Sequence, residues 1–300
     1  MKQPDWVAID WGTSNLRIWG MSDNGKLLKE FCSEVGMSRL SPDQYESVLV
    51  DAISSWLIDR VTPLTILICG SATNRQGWRE VPYVEAPCEP MGSRIRIETN
   101  DPMVEVYLLG GVSQSTPAAV MRGEEIQLLG ATSTGIPEGV FCLPGTHSKW
   151  VEVQQKKIVD FTTFLTGESF ELYSKFSILK HSVQADQINL EQFDAAVKEI
   201  FSEPQKFTSL LFSLRADDLI HSQNSLQARS KLSGYLIGIE LAGAAARWKN
   251  KSVTLIGSSS LTALYHRALS GVGGFADCLD GDGLARAGLF IHYQDVKRNK

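Results

Sequence analysis

One arrangement occurs twice in this 300-residue chain: a short apolar strand, a loop of small and hydroxylated residues, and two strands that can pair as a hairpin. The first copy begins with residues 6–10, which lead into the loop at residues 11–15. The second begins with residues 140–143, which lead into the loop at residues 144–148. The two copies share an order of elements and not a sequence. They predict an α/β protein with two similarly built halves.

A third loop of small residues follows another predicted strand. Residues 252–256 are rich in β-branched residues and lead into Gly257-Ser258-Ser259, after which the pattern becomes helical. Glycine at such a turn lets the backbone approach a ligand, and the start of a helix presents unpaired N–H groups. We therefore expect three small-residue loops, each at the end of a strand.

Composition excludes several classes of function. A net charge of −5 argues against a nucleic-acid surface and offers no basic patch to a membrane. No apolar run approaches the roughly 18–20 residues of a membrane span, and the first residues lack a secretory apolar segment. The five cysteines form no C-x-x-C pair, which predicts reduced thiols in a cytoplasmic protein. The sequence leaves homo-oligomerisation open.

The first loop has the residue types that bind nucleotide phosphates. Phosphates need N–H and hydroxyl donors and a metal ion held by a carboxylate. Asp10 could hold Mg²⁺ through water, Gly12 allows close approach, and Thr13 and Ser14 supply hydroxyls. The alternative is an aspartate that caps a turn beside an ordinary hairpin.

The other loops could bind the remainder of ATP. Gly145 and Thr146 could hold the β- and γ-phosphates, and His147 could donate a hydrogen bond to them. Each also fits a simple hydrogen-bonded turn, and a lone histidine is more often structural. We assign the third loop, at Gly257, Ser258 and Ser259, to the adenosine.

Two acidic residues begin a predicted helix shortly before the second loop. Glu124 and Glu125 follow Gly123, and one of them could accept the proton of an attacking hydroxyl. The alternative is that acids at a helix start interact with the helix dipole. Neighbouring helical residues point about 100° apart, so we expect one to be catalytic and the other structural.

Several longer strings resemble those of 2-dehydro-3-deoxygalactonokinases over nearly the whole chain. They are residues 8–17 (AIDWGTSNLR), 120–125 (VMRGEE), 143–150 (LPGTHSKW), 165–168 (LTGE), 232–238 (LSGYLIG) and 257–262 (GSSSLT). The resemblance implies the two-lobed actin/hexokinase (ribonuclease H-like) fold, with a mixed sheet flanked by helices in each lobe and ATP between the lobes. It also implies phosphorylation of the 6-hydroxyl of 2-dehydro-3-deoxy-D-galactonate, in galactonate breakdown.

The resemblance also implies roles for particular residues. Related sugar kinases place a catalytic aspartate after a glycine, and alignment on that glycine favours Glu124 as the base. The acceptor would be an anion, which arginine binds well. The candidate substrate-binding residues are Arg17, Arg39, Asn74, Trp78 and Arg122, with Arg75 as a further arginine beside a turn. The alternative for each arginine is a surface pair with a neighbouring acid.

We expect a first lobe at residues 1–115, with the first loop and the acceptor site. A second lobe at residues 116–300 would hold the base and the other two loops, and its C-terminal helix would cross back. The second loop of this superfamily often begins with Asp, but here Pro144 stands in that position, which leaves Asp10 as the main metal ligand.

Three other interpretations fit parts of this pattern. A kinase of another sugar or sugar acid would differ only in its acceptor. A regulatory ATPase of the same fold would drive a partner, although such relatives usually carry a sizeable extra domain. A sugar-sensing repressor would carry a DNA-binding segment before the first strand.

Overall fold

The structure is a computed structural model that describes residues 2–222 and 224–300. Its strands are β1 (Trp6–Trp11), β2 (Leu16–Met21), β3 (Leu27–Ser33), β4 (Leu64–Cys69), β5 (Val84–Glu85), β6 (Arg94–Ile97), β7 (Val104–Leu109), β8 (Val112–Ser115), β9 (Ala118–Met121), β10 (Gly139–Leu143), β11 (Ser148–Gln154), β12 (Lys157–Phe164), β13 (Ser252–Gly257) and β14 (Phe275–Asp280). Its α-helices are α1 (Tyr45–Leu57), α2 (Glu124–Ser133), α3 (Thr166–Glu171), α4 (Leu190–Ser202), α5 (Phe207–His221), α6 (Ser225–Gly243), α7 (Ala245–Trp248), α8 (Ser259–Gly271) and α9 (Gly281–Arg298).

The chain divides into two compact units. Unit 1 consists of Met1–Glu138, Val153–Asp160 and Gly281–Lys300, and unit 2 consists of Gly139–Glu152 and Phe161–Asp280. Within the described residues, no helix is both long enough and apolar enough to cross a bilayer.

The main sheet of unit 1 has the strand order β3-β2-β1-β4-β7-β6. The first three strands are antiparallel neighbours, whereas β1, β4 and β7 run parallel to one another. Because parallel strands end at the same edge, the segments after β1 and β4 lie side by side. A small second sheet has the order β5-β8-β9.

Both faces of the unit 1 sheet are buried at its central strands, β1 and β4. Along β1, Val7, Ile9 and Trp11 pack in the core that contains α1. Trp6 and Ala8 point to the other face, into the core formed with α2 and α9. This alternation is the two-residue period of a strand covered on both sides by helices.

Two glycines allow α2 and α9 to touch backbone to backbone. A Cβ atom on Gly130 would lie 2.1 Å from the carbonyl oxygen of Leu284, and one on Gly288 would lie 2.1 Å from that of Ile126. No larger residue fits at either position without displacing a helix. This close contact fixes the first turns of both helices, which carry residues of the candidate site.

Unit 2 repeats the strand order of unit 1. Its sheet runs β12-β11-β10-β13-β14, and β10, β13 and β14 are parallel. Helices α4, α6 and α8 contribute to the core on this sheet, and a second core lies between α5 and α6. The expected recurrence of strand, loop and hairpin is confirmed, and with it the actin/hexokinase type of α/β fold.

The division into units differs from the boundary expected at residue 115. Strand β8 pairs with β5, β9 pairs with β8, and α2 packs on α9, so residues 116–138 belong with unit 1. The two acids at the start of α2 therefore share a unit with Asp10. Helix α9 also belongs to unit 1, because it packs against β1 and β4.

Candidate active site

The carboxyl end of β1 in unit 1 carries an aspartate held by an arginine. Asp10 lies directly opposite Arg17 in the antiparallel ladder of β1 and β2. Arg17 Nη1 is 2.9 Å from Asp10 Oδ2, and Arg17 Nε is 3.6 Å from Asp282 Oδ1 at the start of α9. One guanidinium thus joins two carboxylates from distant parts of the chain.

The electrostatics around Asp10 favour a cation. Burial raises the pKa of Asp10 above its ordinary value, the charges of Asp282 and Glu124 raise it further, and Arg17 opposes the rise. Asp10 thus interacts with two other carboxylates, on Asp282 and Glu124, as well as with Arg17. Within the described residues, no three His, Cys, Asp or Glu side chains are grouped to hold a metal by themselves. A metal at Asp10 would therefore complete its shell with phosphate oxygens and water, as Mg²⁺ usually does.

The first loop (Gly12, Thr13 and Ser14) is held by the segment that follows β3. The backbone N–H groups of Met37 and Ser38 each donate to a carbonyl of the loop, on Gly12 and Thr13, at 3.0 Å. With its carbonyls bound on this side, the loop has a defined shape before any ligand arrives.

Hydroxyl groups from two strand ends meet at the first loop. Thr13 Oγ1 lies 3.0 Å from Ser71 Oγ, just after β4, and Ser14 is exposed. These side chains come together because β1 and β4 are parallel neighbours that end at the same edge.

The two glutamates that begin α2 have different environments. Glu125 is fully buried, and both of its carboxylate oxygens accept from the Gly123 N–H, at 2.9 and 2.8 Å. Burial, with the charge of Glu124, raises the pKa of Glu125 to about 8. Glu124 is half-buried, accepts from the Arg122 N–H at 2.8 Å, and interacts electrostatically with Asp10. Glu125 therefore caps the helix, and Glu124 has the greater access to solvent.

Arg122 holds together the segment that precedes β5. Its Nη1 donates to the carbonyl and the hydroxyl of Thr73, at 2.7 and 2.9 Å, and its Nη2 donates to the carbonyl of Val81 at 2.9 Å. The guanidinium also stacks on Tyr83, 4.1 Å from the ring centre. These contacts hold the guanidinium in place and join the end of β9 to this segment.

Asn74 and Trp78 lie on the same segment and also have local partners. Asn74 Oδ1 accepts from the Gln76 N–H at 2.8 Å, and Trp78 stacks on Tyr45 at 5.8 Å against the unit 1 core. Both residues thus help to shape the segment that follows β4.

The remaining arginine candidates differ in their freedom. Arg17 is bound to two carboxylates, as described above. The side chains of Arg39 and Arg75 are 62% and 79% exposed, and their acidic neighbours, Glu34 and Glu80, lie 3.9 and 3.5 Å away. Arg39 directly follows the residues that hold the first loop. Arg39 therefore has both an exposed guanidinium and a position next to the residues that hold the first loop.

In unit 2 the second loop (Gly145, Thr146 and His147) is joined to the start of α3. The Glu168 N–H donates to the Thr146 carbonyl at 2.9 Å, and Glu168 Oε2 lies 2.5 Å from His147 Nε2. Gly167 passes so close that a Cβ atom there would lie 2.4 Å from the Gly145 carbonyl oxygen.

The Cα of Gly145 faces open space. A Cβ atom built there would meet no atom within 4 Å, and the φ angle is not in the left-handed region. Neither packing nor backbone conformation requires a glycine at this position. The space beside Gly145 thus fits close approach by a ligand.

The third loop (Gly257, Ser258 and Ser259) ends β13 and begins α8. Ser258 is the N-cap residue of α8, and its carbonyl accepts from the Thr262 hydroxyl at 3.0 Å. A Cβ atom on Gly257 would lie 3.5 Å from the carbonyl oxygen of Pro144. The parallel pairing of β10 and β13 therefore places the second and third loops side by side.

A cavity of about 370 Å³ in unit 2 opens beside the second loop. This volume lies within the range of small-molecule pockets. Its lining includes Gly145, Thr146, Thr166, Arg229, Leu264 and Tyr265. The cavity thus joins the second loop to α3, α6 and α8.

Three residues that contact the predicted site were not singled out from the sequence: Ser71, Glu168 and Asp282. Ser71 follows a glycine at the end of a strand, which is a signal of the same kind as the first loop. Glu168 lies in one of the family-like strings. Asp282 lies at the start of the last helix and gave no comparable signal.

Comparisons with known proteins show the family to which the chain belongs. The family model for 2-keto-3-deoxy-galactonokinase matches residues 10–291. A probable 2-dehydro-3-deoxygalactonokinase of Rhizobium meliloti (strain 1021) is 38% identical over 294 residues, covering 95% of both chains. The 2-dehydro-3-deoxygalactonokinase of Escherichia coli (strain K12) is 30% identical over 287 residues, covering 95% of this chain and 96% of that protein.

Solved structures extend the comparison. The crystal structure of an assigned 2-dehydro-3-deoxygalactonokinase from Sinorhizobium meliloti superposes with a TM-score of 0.87 at 37% identity, covering 97% of this chain and 99% of the other. The fold is of the actin/hexokinase type, and the matches to galactonokinases make the chain a kinase of that class. The chain belongs to the 2-keto-3-deoxy-galactonokinase family.

Proposed function

We propose that the protein is an ATP-dependent 2-dehydro-3-deoxygalactonokinase. It transfers the γ-phosphoryl group of ATP to the 6-hydroxyl of 2-dehydro-3-deoxy-D-galactonate, and the step serves galactonate breakdown. Because ATP is the donor, we place the reaction in the cytoplasm. The observation that carries this proposal is the family match over residues 10–291, which includes the Asp10 loop, the start of α2 and both loops of unit 2.

Asp10 would bind the metal ion, and the first loop would bind the phosphates. The negative surroundings of Asp10 support a cation there, because its charge would offset the interacting carboxylates. Mg²⁺ bound with the nucleotide would neutralise charge on the β- and γ-phosphates. Arg17 would keep the Asp10 carboxylate in one orientation, and the Thr13 and Ser14 hydroxyls would donate to phosphate oxygens.

We assign the catalytic base to Glu124. It is the more accessible of the two acids that begin α2, and it interacts with Asp10. Its carboxylate would accept the proton that the 6-hydroxyl loses as the new O–P bond forms. Glu125 would serve by capping α2 and so fixing the backbone that carries Glu124.

Arg39 is our candidate for binding the carboxylate of the acceptor. Its guanidinium is exposed, and its backbone neighbours hold the first loop. Arg122, Asn74 and Trp78 would act indirectly, by shaping the segment after β4.

Unit 2 would bind the remainder of the nucleotide. The second loop would hold phosphates beside Gly145, and the third loop would hold the adenosine. The cavity of about 370 Å³ would receive the adenine ring. Backbone N–H groups at the start of α8 suit a phosphorylated ligand.

A screen for ADP release from ATP tests the proposal. The purified protein is assayed with 2-dehydro-3-deoxy-D-galactonate, its gluconate epimer, other sugar acids and neutral hexoses, each with Mg²⁺. We expect turnover that depends on the acceptor and is fastest with 2-dehydro-3-deoxy-D-galactonate. A neutral sugar as the best acceptor would contradict the sugar-acid assignment, and ATP turnover that needs no acceptor would indicate an ATPase.

A further inference from the structure

A buried carboxylate in unit 2 lies at the centre of four polar side chains. Glu240, near the end of α6, is 1% exposed. Its Oε1 accepts from Trp150 Nε1 at 2.8 Å, and its Oε2 accepts from the hydroxyls of Tyr265, at 2.6 Å, and Thr166. Ser148 extends the network, with its Oγ 2.9 Å from the Tyr265 hydroxyl.

Each of these partners lies on a segment that carries candidate nucleotide-binding residues. Ser148 and Trp150 lie on β11, directly after the second loop. Thr166 begins α3, whose next residues hold the second loop. Tyr265 lies on α8, which starts at the third loop, and it lines the cavity. One carboxylate therefore joins three segments that are far apart in sequence.

Filling space in the core would not require a carboxylate that is bonded to several polar side chains. The described neighbours that bond to Glu240 are an indole N–H and hydroxyl groups, and none is a cation. Burial raises the pKa of Glu240, and the hydrogen bonds from Thr166, Tyr265, Trp150 and Ser148 oppose the rise. A buried carboxylate without a cationic partner is costly unless it is well hydrogen-bonded. An apolar residue would fill the same space at less cost.

We propose that Glu240 is a positioning residue for nucleotide binding, which holds the second loop, α3 and α8 in one arrangement before ATP arrives. This inference rests on the proposed function, because it takes these three segments to be the nucleotide site. Binding sites gain affinity when their parts are ordered in advance, since less conformational freedom is lost on binding. Glu240 would therefore act on ATP through its partners and not by contact.

Glu240→Gln tests the proposal, because the amide keeps the size but cannot accept from all of these donors. The dissociation constant for ADP is measured by calorimetry without acceptor, together with KM for ATP and for the sugar acid. We expect both nucleotide constants to rise about tenfold or more, as for the loss of charge-assisted hydrogen bonds. KM for the sugar acid should stay within about twofold, because that substrate is assigned to unit 1.

Glu199→Gln is a control for the loss of a carboxylate–tyrosine hydrogen bond, at an exposed position. Glu199 accepts from the Tyr235 hydroxyl at 2.9 Å, so it is another carboxylate bonded to a tyrosine within unit 2. Its partner lies on α6, as Glu240 does, but the pair joins α6 to α4 and to none of the three segments. We expect unchanged nucleotide constants for this variant.

Coupling between partners distinguishes positioning from direct contact. Tyr265→Phe should weaken ADP binding in the wild-type background and change it little further in Glu240→Gln, since the two side chains act as a unit. If Glu240→Gln does not fold, Tyr265→Phe and Ser148→Ala provide the test, and both should raise the dissociation constant.

Several results would overturn the proposal. One is a folded Glu240→Gln protein with wild-type affinity for ADP, and another is an equal loss of affinity for ADP and for the sugar acid. Independent, multiplying effects of Glu240 and Tyr265 would also count against it. A wild-type protein that binds ADP but phosphorylates no acceptor would refute the proposed function instead, and the ADP comparison would still decide the role of Glu240.

Discussion

Each unit has a carboxylate on, or bonded to, the segments that carry its small-residue loops. The two carboxylates differ in their exposure and in their partners. In unit 1, Asp10 is paired with Arg17, lies near other acids, and keeps 18% of its side chain exposed. In unit 2, Glu240 is 1% exposed and is hydrogen-bonded by uncharged groups. A partly exposed carboxylate can still bind a cation, whereas a buried one with satisfied oxygens can only hold its neighbours.

This difference indicates that the two units, which share one architecture, perform different parts of the reaction. Unit 1 carries the acids and arginines that we assign to metal, proton transfer and acceptor. Unit 2 carries the glycine loops, the cavity and the uncharged network that we assign to the nucleotide. Substitutions in unit 1 should then lower kcat or weaken acceptor binding, and substitutions in unit 2 should weaken nucleotide binding.

The largest effect is expected at the base in unit 1. Glu124→Gln should lower kcat by about 10²–10⁴-fold, the usual contribution of a general base, with affinity for ATP near that of wild type. Glu125→Gln is the matched control and should keep kcat within about tenfold, because its carboxylate caps α2. Steady-state kinetics of both variants decide between them. If Glu125→Gln loses kcat and Glu124→Gln does not, the two roles are exchanged.

Asp10→Asn should lower kcat by about 10²-fold or more, because a major electrostatic contribution to phosphoryl transfer is removed. The variant should fold, since the pKa of Asp10 is raised in the folded protein and the amide removes a charge that the fold disfavours. Asp295→Asn is the control: Asp295 pairs with Arg94 at 3.0 Å in the same unit, on α9. Mg²⁺-dependent turnover is the measurement. A folded Asp10→Asn protein with normal turnover would remove Asp10 from the metal site.

Arg39→Met should raise KM for the sugar acid by roughly 10–100-fold, as for the loss of a hydrogen-bonded ion pair, with kcat and KM for ATP little changed. Arg75→Met is the control, because Arg75 is also exposed but is not adjacent to residues that hold the first loop. Initial rates over a range of acceptor concentrations give both constants. A larger effect at Arg75 would move the carboxylate site to that arginine.

Gly145→Ala examines unit 2. The added Cβ meets no protein atom within 4 Å, so the melting temperature should not fall, whereas a ligand close to Gly145 would be displaced. We expect KM for ATP to rise by about tenfold, through lost close approach of the backbone. Gly271→Ala is a control in the same unit, because the nearest atom outside its own helix to the added Cβ would be a carbon of the Lys198 side chain, at 3.9 Å. Unchanged KM for ATP would separate the second loop from the phosphates.

The smallest effect concerns stability and pH in unit 1. Burial raises the folded-state pKa of Glu125 to about 8, above its ordinary value. Protonation of Glu125 therefore stabilises the folded state, and this contribution decreases as the pH rises from the ordinary pKa of a glutamate to about 8. Relative to wild type, Glu125→Gln should gain about 1 kcal/mol in unfolding free energy between pH 7 and 8. Denaturant titrations at several pH values measure it. His292, with a pKa lowered to about 4, titrates below this window and does not obscure the comparison.

Much of the fold followed from local sequence. Short-range signals suffice for the repeated order of strand, loop and hairpin, because strand periodicity and turn residues act over a few positions. The short 3-10 turn that leads into α1 shows the same kind of local signal, because Ser41 and Gln44 form a capping box around a proline at the first helical position. These features also located the three loops that carry candidate site residues.

The contacts that give these loops their electrostatic character required the tertiary structure. Arg17 meets Asp282 only because α9 packs against β1 and β4, and Glu240 meets Ser148, Thr166 and Tyr265 only because helices and strands close around it. Arg122 resembled a ligand-binding arginine in sequence, yet its guanidinium is occupied within its own unit. A sequence pattern can indicate where a strand ends, because that depends on neighbouring residues. The partner of a buried charge depends on which distant segments desolvate it, and only the packed fold decides that.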